Sequence, residues 1–468
     1  MSLFRTKNLD AMVAHAGKPG GLKKVLGPFD LILMGIGAIV GTGIFVLTGT
    51  GALTAGPALT LSFIVAAIAC GFAAMCYAEF ASTVPIAGSI YTYSYAVLGE
   101  LVAWMIGWDL LLEYGLATST VAVGWSGYFQ SLLHGWGVDL PAALTAAPGA
   151  RPGVDTVMNL PALVIMLLLT WMLSLGVRES ARVNNVMVVI KISVVVLFIL
   201  FGFGHVNTDN WAPYAPFGAS GIMSAAALVF FAFIGFDAVT SAAEEVKNPK
   251  RDLPIGIIGS LAVCTILYVI VSAIMTGIVP FAKFEGVDHP VSLALQYAGV
   301  NWLSKLVDLG AILGMTTVML VMAYGQTRIL FAMSRDGLLP AKLSTVHPKY
   351  GTPYFATWLV GIVFGVIAAF VPLNVLAELV NIGTLAAFCL VSVAVVVLRK
   401  KRPDLKRAFR CPGVPVVPAI AVIFCLALMS FLSAITWIAF LIWLAIGLLV
   451  YFGYARSRSL LHGSAQSQ

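Results

Sequence analysis

Two kinds of residue could do chemistry inside this otherwise apolar chain. The first is the glycine-rich run Gly35-Ile-Gly-Ala-Ile-Val-Gly41-Thr42-Gly43-Ile44-Phe45, in the middle of a hydrophobic stretch from Phe29 to about Leu53. Lipid offers no hydrogen-bond partners, so a helix interrupted at membrane depth leaves amides and carbonyls for a bound solute or ion. Glycines in membrane helices also permit close packing, but two of them around a hydroxyl residue favour unwinding. A half-helix starting near Thr42 would present its amides and positive dipole end to a carboxylate. Carbonyls at the end of the preceding half-helix would receive an ammonium, so a zwitterion fits both.

The second kind is charge within apolar runs, which costs several kcal/mol unless compensated. Lys191 stands in Val188-Val-Ile-Lys191-Ile-Ser193, about eight residues from the nearer boundary of its segment, too deep to snorkel well. Its ammonium could take the place of a bound cation or carry a proton. Glu113 falls mid-segment and Asp237 just past a second interruption, Phe230-Phe-Ala-Phe-Ile234-Gly235-Phe236-Asp237. These carboxylates could hold a cationic side chain, pair with Lys191 or relay protons; they could also cap broken backbone or face a wet vestibule. Asp109, one helical turn from Glu113, reads as one that caps backbone or faces the vestibule. Asp308 and Glu378 read as interfacial, and Glu79 as either structural or part of an inner gate. Of the phenylalanines around the second interruption, Phe231 is the expected gate.

The elements that must position these groups are membrane helices. Sixty per cent of the 468 residues are hydrophobic and only 10% charged, and apolar runs of about 20 residues recur throughout. Twelve segments emerge, near 29–54, 57–83, 99–130, 159–176, 183–204, 218–244, 254–279, 302–331, 353–371, 374–398, 414–431 and 433–455. With the N-terminus inside, 23 of the 27 Lys and Arg fall in cytoplasmic segments and three outside. That asymmetry predicts cytoplasmic termini, and it assigns the +7 charge to topology and inner-leaflet lipid rather than to nucleic acid. The interruptions in the first and sixth segments fall at equivalent places if 29–205 and 218–398 are two repeats of opposite topology, the sequence mark of an inverted-repeat transporter site. Segments 414–455 would be an appendage between a cytoplasmic N-terminal segment, 1–28, and a tail, 456–468. Residues 131–158 read as irregular, 291–297 as a short surface helix or lid, and 82–99 as an interfacial segment.

Other chemistries find little support. The glycine run spaces as GxGxxxG within a span, not as a dinucleotide fingerprint after a strand. There is no phosphate loop, so ATP does not drive the chain directly, and no HExxH or nucleophile elbow. The six cysteines have no metal or redox spacing and read as small buried thiols. No cofactor or metal is expected. The polar first 28 residues lack a signal-peptide core, so the first helix is expected to stay in the mature protein.

The motifs Phe29-Asp-Leu, Gly35 to Phe45, Tyr77-Ala-Glu-Phe80, Pro85-Ile-Ala-Gly-Ser-Ile-Tyr91, Phe233-Ile-Gly-Phe-Asp237, Glu244-Glu-Val-Lys-Asn-Pro-Lys-Arg-Asp-Leu-Pro254 and Ser334-Arg-Asp-Gly-Leu-Leu-Pro340 resemble the amino acid–polyamine–organocation (APC) superfamily. Gly107-Trp-Asp-Leu-Leu-Leu-Glu113-Tyr and Lys191 most resemble its cationic amino acid transporter branch, in a bacterial form. The resemblance spans about residues 22–455. It implies an all-α integral membrane fold of 12 transmembrane helices, a 5+5 inverted repeat of leucine-transporter type with helices 1 and 6 broken. It also implies that the Thr42 and Gly43 amides bind a substrate carboxylate and the Ile39, Phe231 and Ile234 carbonyls its ammonium. Lys191 would replace a sodium between helices 1, 5 and 8 and couple transport to protons. Glu113 and Asp237 lie where that branch places negative charge for cationic side chains. The expected activity is proton-coupled symport of L-amino acids across the bacterial inner membrane, small neutral (alanine) or cationic (arginine, lysine). Amino acid or polyamine exchange without net proton coupling, and amino-acid sensing without transport, are the alternatives. Membrane lipid is an expected partner, and a small membrane subunit is left open.

Overall fold

The computed structural model describes residues 5–6, 26–83, 90–176, 181–237, 239–240, 246–405, 407 and 409–460. Most of the N-terminal segment, residues 84–89 of the interfacial segment, Arg178, Glu244, Glu245, Lys406 and most of the tail lie outside the described residues. The described residues are 78% helical, and no strand occurs among them. Apolar sequences in lipid must satisfy their backbone internally, and helices do so within one segment.

The helices are α1 (Pro28–Ile39), α2 (Thr42–Phe45), α3 (Leu47–Ala55), α4 (Leu59–Thr83), α5 (Ile90–Val97), α6 (Glu100–His134), α7 (Leu160–Ser174) and α8 (Ala181–Phe203). Then follow α9 (Gly218–Val229), α10 (Pro249–Ile278), α11 (Pro290–Tyr297), α12 (Asn301–Arg335), α13 (Tyr354–Phe370), α14 (Leu373–Lys401), α15 (Val416–Ser430) and α16 (Ala434–Val450). Among the described residues, seven helical runs are long and apolar enough to cross a membrane, and five more apolar helices are shorter. Two of the short ones, Pro28–Ile39 and Gly218–Phe233, are short because they stop at the two interruptions.

Local chemistry sets several ends. The Asn159 side chain accepts from the Ala162 amide at the start of α7. Ser433 accepts from Thr436 at the start of α16, and Glu378 in turn accepts from both hydroxyls, so it caps a helix rather than only lying at the interface. Gly56, with φ +66°, turns the chain between α3 and α4 in a conformation that disfavours a side chain.

The core lies where α1 to α3 and α9 are enclosed by α4, α6, α10, α12 and α14. Large apolar side chains such as Leu200, Ile266, Ile435 and Leu449 are exposed on the outside, the expected face toward lipid. The α16 helix docks on α6 through Trp108 and Trp443, whose indole N–H groups each donate to the other's carbonyl at 2.9 and 3.1 Å. The expected short helix is present as α11, with Val291, Ala294 and Leu295 buried and Tyr297 exposed, and it packs over Gly49.

Candidate functional site

The first interruption is a real break. Helix α1 ends at Ile39, Val40 is extended (φ −74°, ψ 102°), and Gly41 departs from helix before α2 begins at Thr42. The first amide to bond back is that of Phe45, to the Gly41 carbonyl at 3.2 Å, then Val46 to Thr42 at 2.8 Å. The amides of Thr42, Gly43 and Ile44 therefore have no acceptor among the described residues, as the open N-terminus of a helical turn requires. A second kink at Val46 loosens α2 from α3, and the Tyr128 hydroxyl of α6 donates to the Phe45 carbonyl at 2.5 Å. Thr42 is buried, so these amides are enclosed in protein.

The second interruption takes another form. Helix α9 tightens into a 3-10 turn over Phe230–Phe233, Ile234 is extended (φ −65°, ψ 136°), and Gly235 has φ +116°. Asn381 of α14 braces this turn, its Nδ2 donating to the Ala227 and Leu228 carbonyls at 2.8 Å each. Asn381 is wholly buried, and a buried amide earns its place only by such bonds.

The two breaks cross in contact. A Cβ on Gly235 would lie 2.9 Å from the Ala38 carbonyl oxygen, and one on Gly43 would overlap the Ala232 backbone. Each break thus carries a glycine where the other's backbone passes. On the carbonyl side, Ile39 accepts from the Tyr268 hydroxyl at 3.1 Å and Phe231 from the Ile234 amide at 3.2 Å. The Ile234 carbonyl has no donor among the described residues. A carbonyl has two lone pairs, so all three retain capacity. Among the rings, Phe230 and Phe236 pack on Phe388, and Phe233 packs on Phe63 and Tyr268. Phe231 has no ring partner among the described residues.

Lys191 is fully buried on α8. Its ammonium donates to the Gly37 carbonyl at 2.8 Å, the group that a Gly41 amide would serve in an unbroken α1. Its stem lies on Gly314 of α12, where a Cβ would come within 2.9 Å of Cε. The lysine thus joins α1, α8 and α12 immediately before the break.

Glu113 is near Asp237, Asp109 and the Thr384 hydroxyl, and Tyr114 bonds to Asp237. On the same helix, Gly124 packs on Thr42, with a would-be Cβ at 2.9 Å from Cγ2. Glu113 is eleven residues from Gly124, or about 16 Å along α6. The structure therefore groups Thr42, Gly43, Ile39, Phe231, Ile234 and Lys191 around the crossing, with Glu113 farther along α6 and near Asp237, which follows Gly235 by two residues. Asp109 has one oxygen without a partner among the described residues and lies against Gly383. Asp308 is buried and accepts from Ser131 at 2.9 Å. Glu79 accepts twice from Arg399, at 2.9 and 2.6 Å, and from the Cys411 amide at 2.7 Å, with Arg407 at 3.4 Å. This tie joins the end of α4 to α14 and the loop beyond.

Sequence reasoning missed Asn381 and Tyr268, each bonded to backbone beside a break. Asn381 carried a signal, a lone amide in Leu379-Val-Asn381-Ile-Gly; Tyr268 carried none that distinguishes it from other tyrosines.

The amino acid permease family profile matches residues 26–450, nearly the whole of the described chain. The chain belongs to the amino acid permease family. The family is part of the APC superfamily, so it is a multi-pass membrane protein of a transport family. It is 64% identical to the branched-chain amino acid permease BcaP of Bacillus subtilis, over 98% of this chain and 99% of that one. It is 56% identical to the methylthioribose transporter of the same organism, over 98% and 99%. It is 39% identical to the vacuolar cationic amino acid transporter 4 of Arabidopsis thaliana, over 86% and 68%. These relatives are permeases and transporters, and the similarity supports amino acid transport by this chain.

Proposed function

We propose that this permease imports L-amino acids across a bacterial cytoplasmic membrane by proton-coupled symport and alternating access. Branched aliphatic side chains are its preferred class. The observation that carries the reading is the crossing of two broken helices, with the unbonded amides of Thr42 and Gly43 at one break and the carbonyls of Ile39, Phe231 and Ile234 beside them. A carboxylate on the amides and an ammonium on the carbonyls use both polarities at once. The preference for branched side chains is supported by BcaP relatives at 64% and, in Lactococcus lactis, 35% identity.

In the proposed topology α1 to α3 form one broken span and α9 with the turn after it the other, within twelve spans and two inverted five-span repeats. The 23-to-3 division of basic residues supports cytoplasmic termini. Outward opening admits the amino acid, the half-helices and Phe231 close over it, and the inner halves then separate. Lys191 stands where a bound sodium would otherwise brace α1 against α8 and α12, and changes in its proton occupancy link closure to the proton gradient. Glu113 and Asp237 are the groups that a cationic side chain would reach.

A second reading, uptake of a methylthio-sugar, is favoured by the 56% relative. A thermal-shift screen of the purified chain at two pH values separates the two. Leucine, isoleucine and valine at a hundred times their dissociation constants should add about 2.7 kcal/mol, with arginine and alanine weaker. A shift with methylthioribose alone selects the second reading. No shift with any of them, together with no counterflow of labelled leucine, sinks both.

A further inference from the structure

Beside the first turns of α10 lies an open cavity of about 730 Å³, bounded by Lys250, Arg251, Pro254, Ile255, Ile258 and Phe409. Positions 250, 254 and 258 form one ridge of the helix and 251 and 255 the next, so both ridges run from a cation to an apolar wall. Lys250, Arg251, Ile255 and Ile258 are exposed. Neither cation has a hydrogen bond or ion pair, and no acid lines the cavity among the described residues. The nearby Asp252 is buried and turned back toward the Asn248 amide, at 3.3 Å. Phe409, from the loop beyond α14, closes the other side.

We propose that this groove is a binding site for an anionic phospholipid. The headgroup phosphate would sit on Lys250 and Arg251, and an acyl chain would follow Pro254, Ile255 and Ile258 into the bilayer. Charge at the membrane surface joined to a hydrocarbon wall is the complement of such a lipid and of few other molecules. A soluble anion would use the cations and leave the wall wet; a neutral lipid would use the wall and leave the cations unserved. The groove also touches the transport machinery. Gly259, one turn beyond Ile255, packs on Ile32 of α1, its would-be Cβ 3.0 Å from Cδ1. A bound lipid would thus lean on the inner half of the first broken span.

The test is native mass spectrometry of the full chain in detergent, with phosphatidylglycerol and phosphatidylcholine supplied in equal amounts. One phosphatidylglycerol should be retained in preference. The double variant Lys250→Gln, Arg251→Gln should lower that retention about thirtyfold, the effect of two basic residues near a charged surface. Ile258→Trp, which fills the groove and keeps both cations, should lower it as well. Equal retention of the two lipids, or retention unaltered in the double variant, overturns the proposal. So does loss in the double variant with none in Ile258→Trp, which marks diffuse attraction, or a copurifying peptide that phosphatidylglycerol does not displace. All the substituted side chains are exposed, and melting temperatures in lipid-free detergent check that each variant folds. No transport step enters the readout, so it stands apart from the proposed activity.

Discussion

Replacing Lys191 by methionine keeps an unbranched side chain of similar length on Gly314 and removes the ammonium. What is lost is the bond to the Gly37 carbonyl, 2.8 Å long and fully buried. That carbonyl has no helical donor because the chain breaks at Gly41, and the residue is buried. A hydrogen bond from a charged donor contributes about 1.5–3 kcal/mol. The closed packing of α1 against α8 and α12 should weaken by that amount, roughly ten- to a hundredfold in equilibrium. In proteoliposomes with an imposed pH gradient, Lys191→Met should abolish gradient-driven accumulation of leucine. Counterflow, which needs no net proton movement, should persist at a reduced rate. Undiminished accumulation by a folded Lys191→Met protein would refute the coupling role and the reasoning from the Gly37 carbonyl together.

Three further outcomes are expected. Gly43→Val places side-chain atoms into the Ala232 backbone, so the leucine-dependent thermal shift should vanish; normal binding would mean that the crossing is not the site. Asn381→Ala removes two buried hydrogen bonds to the Ala227 and Leu228 carbonyls, at about 0.5–1.5 kcal/mol each. The apparent melting temperature should fall, whereas an unshifted melt would show that the α9 end relaxes without Asn381. Burial, with Arg151 nearby, depresses His289 from 6.5 to about 4, so the unfolded chain takes up the proton first as pH falls. Stability should be full above pH 6.5, decline by up to about 1.4 kcal/mol per pH unit toward pH 4 and then level off. A His289→Gln protein should lack that slope in melts across the same range.

Much of the site was legible before any coordinates because its signals are local. A glycine pair around Thr42, a glycine before Phe236 and a lysine ten residues into α8 each contradict the apolar run that contains them, and lipid gives such contradictions only a few resolutions. The places where the helix stops follow from the same run of residues. Asp308 and Glu378 show the limit of that reasoning: both look interfacial by position, and the contacts of one with Ser131 and of the other with the start of α16 come only from the fold.

By itself the sequence determined that this is a membrane protein of many helices, where two of them break, and that a lysine lies deep within a later apolar segment. Only the tertiary structure decided that the breaks touch, Gly43 on Ala232 and Gly235 on Ala38, across nearly two hundred residues of chain. It also decided that Lys191 serves Gly37, that Asn381 and Tyr268 hold backbone beside the breaks, and that Glu113 lies near Asp237. Which helix faces which depends on rotation and crossing angle summed over many packing contacts. No single stretch of residues carries that sum.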